Sequence, residues 1–133
     1  MSKNALRALL APLNISEAAI SLCVDAEIID LHIDTFIPHR LWGYDPLKRH
    51  KRGPFGRHFF GHLDLPRMQS GGLNGAMWSI TTNPFRWPRS RWKTFLKNIK
   101  GFQSLVSRSN GQLGFARTVQ EYHTLKSQNI HAT

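Results

Sequence analysis

One short stretch of the chain alternates apolar and polar positions, several others repeat at helical spacing, and together they lay out its elements. Between Glu27 and Phe36 polar side chains fall at every second position, Asp30, His32 and Asp34, with Ile29, Leu31 and Ile33 among them. A period of two marks a strand, so residues 27–34 are read as one, with the three polar groups on a single face. Ahead of it, residues 4–11 suit a short helix. Ser16 can cap a second, in which Ile15, Ala19, Ile20, Cys23 and Val24 share a stripe. Residues 35–62 are rich in Gly, Pro, His and Arg and lack any period, which predicts a long irregular segment. Asp64 then caps a short helix over 64–70, halted by Gly71-Gly72. Residues 73–81 are apolar on both sides, as in a buried strand of a parallel sheet. A longer helix is predicted over 90–109, with Ser90 as its cap and Trp92, Phe95, Leu96, Ile99, Phe102 and Val106 on one face. After Asn110-Gly111 comes an extended piece from Leu113 to Arg117. The capping box Thr118-Val119-Gln120-Glu121 opens a last helix with Val119, Tyr122 and Leu125 inward. Ile130 to Thr133 reads as a strand beginning.

Strand, helix, strand, helix and a third strand opening is the rhythm of an α/β protein with parallel strands. Two complete strands neither close a barrel nor fill a doubly wound sheet. The expectation is therefore the N-terminal portion of a larger α/β domain.

Composition narrows the classes. At 133 residues the chain has room for one core. A hydrophobic fraction of 41% with four Trp excludes a disordered chain. The single Cys23 excludes an internal disulfide and a cysteine zinc cage, and it fits a reducing compartment. No window reaches the length of a membrane-spanning helix, and Pro12 and Asn14 interrupt the apolar N-terminal run, so no signal peptide is read and a cytoplasmic location is expected. The net charge is +10 with only eight acidic residues. It is concentrated in Arg40 to Arg57, which includes Lys48-Arg49-His50-Lys51-Arg52, and in Arg86 to Lys100. Such an excess fits a nucleic-acid or anionic-membrane partner, or a chain whose acidic residues lie in a further part.

The candidate chemistry sits on the alternating strand. A neutral imidazole nitrogen and a carboxylate oxygen two residues apart on one face can reach one divalent ion, which makes His32 and Asp34 candidate metal ligands. The competing reading is an edge strand with a solvated polar face. Asp30 on the same face is a candidate partner for a ligand histidine, or one half of a salt bridge. His62 and Asp64 form a second His-x-Asp pair, but they precede a helix and are read as its cap. His39, His50 and His58 lie among cations and are read as solvated loop residues. Trp78 and the group Trp87, Trp92 and Phe95 are read as packing residues.

Three stretches carry a family resemblance. Asp30-Leu31-His32-Ile33-Asp34 resembles the D-G-H-x-D opening motif of the membrane dipeptidase family, the M19 metallopeptidases of the amidohydrolase superfamily. The run from His62 through Asp64-Leu65-Pro66-Arg67-Met68 and Gly71-Gly72 to Met77-Trp78-Ser79 is similar to that family's H-x-D-[LI]-P-R-[LM]-x-x-G-G-[VL]-x-[GA]-x-[FM]-W-S block. Phe115 to Lys126 resembles the segment that leads into its third strand. The resemblance implies that 27–133 holds the first strands and helices of a (β/α)8 barrel of the TIM type, truncated here, with 1–26 as a helical lead-in. It implies a zinc-dependent dipeptidase that hydrolyses dipeptides with water activated between two zinc ions, His32 and Asp34 being ligands of one ion. The bridging glutamate, two further histidines and the proton donor fall beyond Thr133, so the 133-residue chain is expected to be inactive alone, and no catalytic residue is assigned within it. A homodimer is possible for the full-length form. Leu31 departs from the family's Gly, and the basic insertion at 48–52 is unusual. The rival reading is a small basic nucleic-acid-binding protein that uses Lys48–Arg57 with Phe55, Phe59 and Phe60. It leaves both motifs unexplained, and nucleic acid is accordingly not expected as a partner.

Overall fold

The computed structural model describes residues 3–51, 63–83 and 85–133. Helices α1 (Lys3–Leu10) and α2 (Glu17–Asp25) lead in, joined by a single 3-10 turn. Ser16 caps α2 by accepting the N–H of Ala19 at 3.2 Å. Leu6, Ile20 and Val24 form a small apolar cluster between the two helices, and Lys3 pairs with Asp25 at 2.6 Å across them. The apolar stripe is narrower than the sequence suggests, because Ile15 and Cys23 are exposed.

Strand β1 (Ile28–Ile33) pairs in parallel with β2 (Leu73–Trp78). β2 pairs with β4 (His131–Ala132), and β4 with β3 (Leu113–Gly114), so the all-parallel sheet has the order β1-β2-β4-β3. The expected β1–β2 neighbours are thus present, and the connection between them carries α4 (Leu65–Ser70). Two apolar clusters bind the sheet to its helices. Ile33, Met68 of α4 and Ala76 form one. The other joins Phe36 to Phe102 and Leu105, with Trp78 and Ile80 at its margin. Leu105 is fully buried, which contributes about 2 kcal/mol.

Phe102 and Leu105 belong to α5 (Pro88–Arg108), whose start differs from the expectation. Pro88 occupies the first turn, where a missing N–H is harmless, and it sets the helix start ahead of Ser90. Its buried residues are Asn98, Phe102 and Leu105, whereas Trp92 and Leu96 point largely to solvent. The side-chain amide of Asn98 donates to the carbonyl of Thr81 at 3.1 Å, and this polar anchor rotates the helix away from its purely apolar stripe. In α6 (Val119–Ser127) Thr118 accepts the N–H of Glu121, but the Glu121 carboxylate reaches past the cap to the N–H of Arg117. Val119, read as inward, is exposed, because the first turn of α6 stands clear of the sheet.

The segment read as irregular contains a helix, α3 (Phe36–Trp42), ended by Gly43 with φ 69°. His39 and His50 are half-buried and hydrogen-bonded there rather than freely solvated. His39 Nδ1 lies 2.7 Å from the Tyr44 carbonyl, while His50 stacks on the Tyr44 ring at 4.0 Å and places Nε2 2.7 Å from the Asp45 carbonyl. His58 lies outside the described residues. Tyr44 in turn donates its hydroxyl to the Leu63 carbonyl.

His131 opens β4 and is buried. Its Nδ1 lies 3.2 Å from the Leu73 carbonyl, an atom that only accepts, so Nδ1 carries the proton. Nε2 is buried without a hydrogen-bond partner among the described residues. Burial pushes the imidazole pKa down to about 4, and the ring is neutral at pH 7.

Candidate metal centre

The candidate ligands occupy the carboxyl end of β1, where the ladder is irregular. Ile28 pairs with Leu73, Ile29 with Gly75, Asp30 with Ala76 and Ile33 with Trp78. The pairing therefore passes over Asn74 on one strand and accommodates an extra residue at Leu31-His32 on the other. Each slip is secured by a side chain. Asn74 Oδ1 accepts the N–H of Ile28 at 3.0 Å, and Asp30 Oδ1 accepts the N–H of His32 at 3.0 Å. A bulge frees a backbone donor, and a local carboxylate satisfies it in the manner of an Asx turn.

This bulge overturns the expectation that Asp30, His32 and Asp34 share a face. Aligned residues of paired strands face the same way, so Asp30 stands with Ala76 and Ile33 with Trp78. Ala76 and Trp78 are two apart, and Ala76 packs with Ile33 against α4. Asp30 thus lies on the helix-covered side and His32 on the opposite one. Period-two reading fails because the extra residue inverts the alternation. Asp30 touches His32 through the backbone and not through the ring.

His32 and Asp34 do come together. Nε2 of His32 lies 3.3 Å from Oδ2 of Asp34, with 71% and 54% of the two side chains accessible. Neither packs into the layer between sheet and helices. Just beyond them the chain is fixed. Thr35 and Phe36 are buried, the Asp34 carbonyl accepts the N–H of Ile37 at 2.8 Å to start α3, and the Ile33 carbonyl accepts the N–H of Ser79 at 2.8 Å. The exposed pair is therefore held between a bulge and a helix start.

The second His-x-Asp differs in kind. Asp64 is fully buried and caps α4, with Oδ1 accepting the N–H of Arg67 and Oδ2 accepting both Arg67 Nε and the His50 N–H, all within 2.9 Å. A carboxylate so enclosed anchors the chain, as the cap reading expects; its partner His62 lies outside the described residues. Of the basic loop, residues 52–57 and the three Phe also lie outside them. In the described portion Lys48 pairs with Asp45 at 3.5 Å and Arg49 donates to Ser70. Nothing there favours the nucleic-acid reading.

Residues 16–133 match the membrane dipeptidase family, peptidase family M19. The chain belongs to this family. Among solved structures, this M19 chain is similar to the crystal structure of the dipeptidase AC, a metallopeptidase of family M19, at 22% identity with a TM-score of 0.58. The match covers 80% of this chain and 33% of that one, so the M19 chain spans about a third of that relative's length and shares the corresponding part of its fold. No curated protein matches it. Among the described residues there is no cluster of three or more His, Cys, Asp or Glu that could hold a metal. No described helix is long and apolar enough to cross a membrane.

Proposed function

We propose that His32 and Asp34 are one half-shell of a zinc site in a dipeptidase, of which this chain carries the first strands. The observation that carries this reading is the 3.3 Å separation of Nε2 and Oδ2 on an exposed strand end. Two zinc bonds of about 2.1 Å at a tetrahedral angle set their donor atoms about 3.4 Å apart, so the pair fits one ion with little movement. A metal held there supplies Lewis acidity toward water and toward a peptide carbonyl oxygen. His32 and Asp34 position it, and Asp30 acts as a positioning residue by holding the His32 backbone in the bulge. The proposed substrates are dipeptides, and two zinc ions and a homodimer belong to the proposed full-length enzyme. In domain terms, residues 1–26 are a helical lead-in and residues 27–133 belong to the barrel.

Two protein ligands fall short of the three that a catalytic zinc takes. The 133-residue chain is accordingly a weak zinc binder without peptidase activity. The test measures zinc per chain by calorimetry and metal analysis, for wild type and for His32→Ala and Asp34→Ala, alongside a dipeptide assay. Weak binding that either substitution removes is the expected result. Zinc binding indifferent to both substitutions would sink the assignment. Two tightly held ions with turnover would show that ligands arrive from elsewhere.

A further inference from the structure

We propose that the loop after β2 and the first turns of α5 form a peripheral docking site for an anionic lipid surface. Large aromatic rings crowd this corner without cover. Phe85 is 94% exposed, Trp87 84% and Trp92 61%. The expectation that Trp87 packs with its neighbours is not met. Of that group, among the described residues, Trp92 and Phe95 stack at 5.8 Å between ring centres. Beside them Ile80, Thr82, Pro88 and Arg91 complete an open, mainly apolar groove of about 360 Å³. Single exposed apolar residues are ordinary, but Phe85, Trp87 and Trp92 fall within eight residues, Trp92 borders the groove, and Trp87 directly precedes Pro88, which lines it.

The charge on this corner has one sign. Arg86, Arg89, Arg91 and Lys93 alternate with the rings, and no Asp or Glu occurs from residue 65 to residue 120. Among the described residues none of the four cations has a carboxylate partner within ion-pair distance. A surface with this charge favours an anionic partner, and the aromatic component selects among such partners. A stacked base covers one face of a ring, whereas Phe85 and Trp87 are open on nearly every side. The interfacial zone of a bilayer surrounds a ring while leaving flanking arginines among the headgroups. Phe85-Arg86-Trp87 therefore suits shallow insertion, with Arg89, Arg91 and Lys93 on anionic headgroups. The corner follows the carboxyl end of β2, which lies parallel to β1, so docking turns the end of the sheet that bears His32 and Asp34 toward the lipid.

The test uses the 133-residue chain with phosphatidylcholine vesicles, with and without phosphatidylglycerol, read by co-sedimentation and tryptophan emission. Binding is expected only with phosphatidylglycerol, with a blue shift and a decline as salt rises. Phe85→Ser with Trp87→Ser should weaken partitioning roughly tenfold. Replacing Arg86, Arg89 and Arg91 by Gln should weaken it roughly a hundredfold, at about a factor of five per cation. All five positions are exposed, and both variants should keep the wild-type melting temperature and zinc binding. Absence of binding, equal binding to neutral vesicles, or partitioning unchanged in both variants overturns the proposal. So does a single-stranded oligonucleotide that binds in place of vesicles, or sedimentation showing a dimer that the ring variant dissolves. Those two outcomes assign the corner to nucleic acid or to a second copy.

Discussion

Replacing His131 with Phe should remove much of the acid sensitivity of the fold. The buried imidazole is neutral, with a pKa near 4 against an ordinary 6.5. Above pH 6.5 neither the folded nor the unfolded chain protonates this group, and its contribution to stability is complete. As the pH falls below 6.5 the unfolded chain takes up a proton that the folded chain refuses until about 4, so stability is lost across that window and levels off beneath it. The full difference of about 2.5 units corresponds to about 3 kcal/mol, of which about 2 kcal/mol is gone by pH 5. Phe cannot accept the proton. It also forfeits the contact of Nδ1 with the Leu73 carbonyl, a loss of about 1 kcal/mol, while removing the unpartnered Nε2. At pH 7 the two proteins should therefore differ little, and at pH 5 the variant should be the more stable. Urea titrations followed by tryptophan fluorescence at the two pH values would show a relative midpoint shift of about 1 M. Midpoints that fall in parallel, or a His131 proton resonance titrating near 6.5, would refute the reasoning.

Three further outcomes are expected. Asp64→Ala strips the α4 cap and leaves Arg67 and the His50 N–H without their acceptor, so it should destabilise by about 3 kcal/mol, readable as a lowered thermal midpoint. Gly72→Ala forces a side chain into φ 76° and sets its Cβ 2.8 Å from Leu6 Cδ2, which should lose about 2 kcal/mol in the same assay, part of it recovered by Leu6→Ala. Asp30→Ala should remove about 1 kcal/mol by freeing the His32 N–H, and it should weaken zinc binding although no ligand is lost; unchanged zinc affinity would deny it a positioning role.

Capping chemistry was the most legible part of the fold. Ser16, Asp64 and Thr118 each accept the backbone N–H three residues on, because the orphan donors of a first turn admit few local solutions. The parallel pairing of β1 and β2 and the opening strand at His131-Ala132 were equally readable from two-sided apolarity and element rhythm. What stayed hidden depends on contacts distant in sequence. The setting of α5 follows Asn98 meeting Thr81, and the half-burial of His39 and His50 follows Tyr44, neither of which periodicity registers. The candidate site was half legible. His32 and Asp34 adjoin as their spacing implies, while Asp30 changes sides at a bulge that leaves no mark in the polar pattern. Asp30 two residues ahead of a freed N–H was the one local hint.

The two slips between β1 and β2 have a consequence for how these strands can change length. The partner of each β1 residue lies 45 positions onward at Ile28, 46 at Ile29 and Asp30, and 45 again at Ile33, as the pairings with Leu73, Gly75, Ala76 and Trp78 give. The offsets cancel, so the mismatch is quarantined within a few residues and the chains leave the ladder in the phase in which they entered it. Loss of Asn74 alone, or of Leu31 alone, would straighten one irregularity and leave the pairs on either side of it facing as they do now. Loss of both would restore an even ladder. Each irregularity can therefore be gained or lost by itself, and residues 34–72, which join the two strands, carry the crossover without setting this beat.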